Sequence, residues 1–115
     1  MKELLKNKVA IVTGGGRGIG RGHSLHLAKS GANVLVNDID SEEAEKVVNE
    51  ILDEGGVAKT SSQDISSREG CSLLIDECVT EFSNIDILVN NAGILRDKSL
   101  LKMTDEDFDS VWNIH

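Results

Sequence analysis

The residues best placed for chemistry early in the chain offer backbone groups rather than side chains. Thr13-Gly14-Gly15-Gly16-Arg17-Gly18-Ile19-Gly20 directly follows the apolar run Val9-Ala10-Ile11-Val12 and opens a helical pattern reaching Ser30. A buried strand, a glycine turn and a helix in succession predict an anion site. The first N–H groups of a helix lack intrahelical partners and carry partial positive charge, so a pyrophosphate suits both conditions. Glycine serves such a turn by turning tightly, by letting backbone approach phosphate and by letting the helix pack closely on the strand. The spacing is G-x-x-x-G-x-G rather than G-x-G-x-x-G, so the pattern supports dinucleotide binding through mechanism alone. Asp38 adds weight. It ends the next strand, 18 residues after Gly20, where an acidic side chain would meet an adenosine ribose.

These groups need a scaffold that gathers strand ends. Val9–Thr13, Asn33–Asn37, Val57–Ser61 and residues 85–89 read as strands, and helical patterns alternate with them. The first helix is predicted over 19–30, with Gly31 suited to its C-terminal cap. Asp40 and Glu43 form a capping box for the second, whose Ala44, Val47, Val48, Ile51 and Leu52 keep helical spacing up to Gly55-Gly56. Ser66 and Glu69 predict another capping box, ahead of the amphipathic stripe Cys71, Leu74, Ile75, Cys78, Val79 and Phe82. The fourth strand leads into Asn90-Asn91-Ala92-Gly93. A last helix is predicted from about Thr104, with Phe108, Val111, Trp112 and His115 on one face. Such alternation predicts parallel strands with right-handed crossovers, in the order 3-2-1-4. The fourth strand is then a bare edge, which invites pairing with another chain.

A net charge of −8 disfavours nucleic acid and anionic membranes as partners. Residues 1–8 are too broken by charge for a signal peptide, and no apolar run is long enough to cross a bilayer. A cytoplasmic protein is the expectation. Cys71 and Cys78, seven apart in a helical pattern, read as buried core positions, and no metal site is assigned. The sequence has no tyrosine.

Taken together, these motifs resemble the short-chain dehydrogenase/reductase family, and the resemblance covers essentially the whole chain. Residues 13–20 are similar to its T-G-x-x-x-G-x-G cofactor loop, and Asn90-Asn91-Ala92-Gly93 to its N-N-A-G motif. Gln63-Asp64-Ile65 stands where the family places an Asp and an aliphatic residue against adenine. Segments 93–97 and 105–109 are similar to 3-oxoacyl-carrier-protein reductases and to the (3R)-hydroxyacyl-CoA dehydrogenase part of multifunctional β-oxidation enzymes. Val36-Asn37-Asp38 favours the latter.

The resemblance implies a Rossmann-like doubly wound α/β domain over residues 1–115, cut before its catalytic half. It implies hydride transfer between nicotinamide and a carbonyl or secondary alcohol, such as a 3-hydroxyacyl thioester, with a small-molecule substrate and a homo-oligomer. The implied cofactor-binding residues are Gly14, Arg17, Gly18, Ile19, Gly20, Asp38, Asp64, Ile65, Asn90, Asn91, Ala92 and Gly93. The carboxylate of Asp38 favours NAD over NADP because it repels a 2′-phosphate; Arg17 pulls the other way. The family's catalytic Asn position falls on His115, the one catalytic candidate here, although a histidine on an apolar helix face also suits simple packing. The family's Tyr-x-x-x-Lys pair is absent from a chain without tyrosine, so the chain alone is expected to be inactive. The alternative is a nucleotide-binding or interaction module without catalysis. A peroxisomal location also stays open, since such an address sits at a natural C-terminus.

Overall fold

A computed structural model describes residues 4–91. Ala92, Gly93, the helix expected from Thr104 and His115 lie outside the described residues. Four strands and three helices alternate: β1 (Val9–Thr13), α1 (Gly18–Lys29), β2 (Asn33–Asn37), α2 (Ser41–Asp53), β3 (Val57–Ser61), α3 (Arg68–Phe82) and β4 (Ile87–Asn90). The strands are parallel and ordered β3-β2-β1-β4, as the alternation requires.

Side-chain alternation along the central strands divides the core in two. Val9, Ile11 and Leu35 face α3 and pack with Ile65, Cys71, Leu74, Ile75 and Cys78. Ala10, Val12, Val34 and Val36 face the other way, toward Ala28 and the α2 residues Ala44, Val47, Val48 and Ile51. Leu52, expected on that stripe, is half exposed at 49%, because the buried face of α2 is narrower than the run of apolar residues. Both cysteines are free and buried. Burial, followed by the charge of Asp86, pushes the Cys78 thiol up to about 12.

Boundaries differ from expectation by one residue at each end of α1, which spans Gly18–Lys29, and more tellingly at α3 and β4. The cap of α3 is Ser67 rather than Ser66: its side chain accepts from Gly70 N–H at 2.9 Å. Ser66 is instead drawn into a turn, its N–H donating to Asp64 Oδ1 at 2.9 Å. β4 begins at Ile87 rather than residue 85. Asp86 meets Val9 at the start of β1 twice, its N–H donating to the Val9 carbonyl and its Oδ2 accepting from Val9 N–H, both at 2.8 Å, and strand pairing proper starts at Ile87. β4 is the outer strand of the described sheet, and all four of its residues are half-buried.

Candidate functional site

The carboxyl ends of the strands carry a row of polar residues in one register: Ser61, Asn37, Thr13 and Asn90. Thr13 is fully buried. Its hydroxyl donates to Asn90 Oδ1 at 2.6 Å and accepts from Asn91 N–H at 3.0 Å, fastening the end of β4 to the start of the glycine loop. Asn37 Nδ2 donates to the Gln63 carbonyl at 3.1 Å and toward Ser61 Oγ at 3.3 Å. Ser61 Oγ in turn donates to Glu77 of α3 at 2.5 Å. This network fixes the Gln63-Asp64 segment beside the sheet end.

Above that row, the glycine loop is held by its neighbours. Gly15 N–H donates to the Asn37 carbonyl at 2.9 Å, and Gly16 N–H to Asp38 Oδ2 at 3.0 Å. Ser24 Oγ, buried on α1, lies within hydrogen-bond distance of the Gly20 and Gly15 carbonyls, at 3.0 and 3.2 Å. A Cβ on Gly20 would sit 1.9 Å from the Gly14 carbonyl oxygen, so only glycine lets α1 pack this close to the loop. Gly18 differs. Its φ is +59°, and a Cβ there would meet no atom within 4 Å. That glycine borders open space.

The start of α1 has no side-chain cap, and no acidic residue occupies its first turn. Its first amides therefore keep their unsatisfied donors and partial positive charge. The start of α1 borders a cleft of about 370 Å³ lined by Gly14, Arg17, Ile19, Gly20, Asp38 and Asn91. All six were expected from the sequence. Asp38 is only 8% exposed, with Oδ1 accepting from Asp40 N–H at 3.0 Å and Oδ2 turned to the loop. The Arg17 guanidinium pairs with Asp40, the N-cap of α2. Of the Asp64-Ile65 pair, Asp64 is exposed, whereas Ile65 turns its side chain into the core and is 5% exposed.

Several residues at this end of the sheet escaped the sequence reading. Ser24 and Asn37 hold the loops without an assigned role, and Thr13, which opens the glycine motif, holds them through buried hydrogen bonds the motif does not specify. Ile39, next to Asp38, is 67% exposed, as is Ile19 at 76%. An isoleucine directly after the strand-ending carboxylate was the available signal. Among the described residues no group of three His, Cys, Asp or Glu gathers as metal ligands, and no helix is long and apolar enough to cross a membrane.

A parallel sheet with helices on both faces defines a doubly wound α/β protein, and its cleft lies at the carboxyl ends of the strands, where such folds bind ligands. The chain belongs to the short chain dehydrogenase family, whose model matches residues 8–115. That is a family of oxidoreductases. The chain is 44% identical over 119 residues to the peroxisomal multifunctional enzyme A of Dictyostelium discoideum, covering 96% of this chain and 26% of that protein. It is 44% identical over 116 residues to the hydroxyacyl-CoA dehydrogenase ChsB1 of Mycobacterium tuberculosis, covering 96% and 36%. Among solved structures it resembles a 7α-hydroxysteroid dehydrogenase complexed with NADH and 7-oxo glycochenodeoxycholic acid. That likeness has a TM-score of 0.74 and 32% identity, over 93% of this chain and 46% of that one. The chain thus spans less than half the length of each.

Proposed function

We propose that the cleft holds an adenine dinucleotide, NAD in preference to NADP, and that residues 1–115 form the cofactor-binding part of an oxidoreductase. The observation that carries this reading is the uncapped start of α1 bordering a cleft that Asp38 also lines. A pyrophosphate would complete the amides of Gly18, Ile19 and Gly20, and the bare Gly18 would let it approach. Each Asp38 oxygen uses one lone pair on a backbone N–H, which leaves acceptor capacity for the hydroxyls of a ribose. Asp64 and the exposed Ile39 would flank the adenine. Ile19, Asn90 and Asn91, with Ala92 and Gly93, would border the nicotinamide half.

When bound, the cofactor would accept or supply a hydride for a carbonyl or secondary alcohol. A 3-hydroxyacyl or 3-oxoacyl thioester is the proposed substrate class, supported by the name of the mycobacterial relative. The chain has no tyrosine to move the alcohol proton, so by itself it would hold nucleotide without turning it over; a purely nucleotide-binding module is the second reading. A second copy of the chain is the proposed protein partner, through the edge of β4. Cytoplasmic residence is proposed, with the peroxisome as the alternative that the Dictyostelium relative's name supports.

Titration of the chain with NADH by calorimetry tests the reading. Saturable 1:1 binding is expected, weakened about tenfold or more in Asp38→Ala, the scale of a lost hydrogen bond to a charged group. Absence of binding, or binding indifferent to Asp38→Ala, would contradict it.

A further inference from the structure

We propose that Asp40 sets cofactor selectivity by occupying the Arg17 guanidinium that would otherwise pair with a 2′-phosphate. The inference rests on the dinucleotide reading above. Arg17 is the one cation among the six residues lining the described cleft, which Asp38 lines as well. A free guanidinium there would be the natural partner of a phosphate on the adenosine ribose. Instead it is paired with the Asp40 carboxylate.

Asp40 is a well-anchored partner. Its backbone N–H donates to Asp38 Oδ1 at 3.0 Å, and its own Oδ1 accepts from Glu43 N–H at 3.4 Å as the cap of α2. A carboxylate anchored at both backbone and side chain stays in place to neutralise the guanidinium. The two aspartates thus act on NADP by separate routes. Asp38 places negative charge where the 2′-phosphate would lie, and Asp40 already occupies the cation that would neutralise that phosphate. Both side chains of the Arg17–Asp40 pair are substantially solvent-exposed, 59% and 42%, so the pairing biases Arg17 rather than locking it.

Asparagine caps a helix as well as aspartate does, so Asp40→Asn keeps the start of α2 and removes only the ionic hold on Arg17. NADH and NADPH affinities are measured by fluorescence titration of the full chain as wild type, Asp40→Asn, Arg17→Gln and the double variant. The ratio of NADPH to NADH affinity is expected to rise about fivefold in Asp40→Asn, the scale of one exposed ion pair transferred to phosphate. The rise should vanish in the double variant. Loss of a cap alone would lower thermal stability and both affinities together, leaving the ratio where it was. Asp40→Ser, which also caps, repeats the test with a different side chain. An unchanged ratio in both Asp40 variants, or a rise that survives Arg17→Gln, overturns the role of Asp40 while leaving NAD binding in place. A wild-type chain that binds neither nucleotide overturns the dinucleotide reading itself, and this inference with it.

Discussion

The crossing from β1 into α1 and the crossing from β3 into α3 share one packing device and part ways over another. In each, a loop carbonyl presses on a helical glycine at the same chain separation. A Cβ on Gly20 would sit 1.9 Å from the Gly14 oxygen, and one on Gly70 would sit 1.8 Å from the Asp64 oxygen. The capping is opposite. α3 is closed by its own chain, through Ser67 on Gly70 N–H and with Glu69 in the first turn. α2 is closed likewise by Asp40. α1 has neither a side-chain cap nor an acid. The steric glycine therefore reports how closely a helix is packed, whereas the missing cap marks the helix start at which the proposed pyrophosphate would sit.

The largest expected effect breaks the shared device. Gly20→Ala and Gly70→Ala should each destabilise the chain by about 3 kcal/mol or more, at the upper end of overpacking, because backbone rather than a flexible side chain is in the way. Urea unfolding measures both. A Gly20→Ala variant of wild-type stability would show that the contact is not needed.

Smaller changes sharpen the capping contrast. Ser67→Ala should cost about 1 kcal/mol of stability and leave NADH affinity alone. Gly18→Ala should cost about as much, through its left-handed backbone, yet lower NADH affinity about tenfold by putting a methyl group in the path of the phosphate. Unfolding curves and titrations on the two variants give the comparison. Equal effects on binding would erase it.

The smallest effect belongs to a contact that ties α1 to α2 away from their first residues. Arg21 Nε donates to Glu50 Oε1 at 3.0 Å, and this hydrogen bond holds the Glu50 carboxyl below its ordinary 4.5. A depressed carboxylate contributes stability above its unfolded pKa and loses it as pH falls through the folded value. The stability difference between wild type and Glu50→Gln should therefore be present at neutral pH and fade below pH 4.5. Urea midpoints across the acid range check the sign.

Much of this was legible in the chain because it depends on local pattern. Val9–Thr13, Asn33–Asn37 and Val57–Ser61 emerge with the expected bounds. Each is a short run held between turn-forming or capping residues. The glycine loop and Asp38 were legible for a similar reason, since a strand end, a turn and a helix start are neighbours in sequence. What stayed hidden is decided by side-chain partners, near or far in the chain. Ser66 and Ser67 are equally good caps locally, and the choice falls to the carboxylate of Asp64. The start of β4 is set by Asp86 reaching Val9 across the sheet. Thr13, Asn37, Ser61 and Asn90 look like separate strand-end residues until the sheet aligns them into one row. The Arg17–Asp40 pair, joined only when the glycine loop meets the cap of α2, has no sequence signature at all.

The central claim is that the uncapped amides of α1 and the Asp38 carboxylate grip one nucleotide between them. Amide-resolved NMR titration of the chain with NADH tests this most directly. The account predicts that the largest shifts fall on Gly18, Ile19, Gly20 and Asp38, with the capped starts of α2 and α3 much less affected. Shifts spread evenly over the three helix starts, or confined to surfaces away from the cleft, would contradict it.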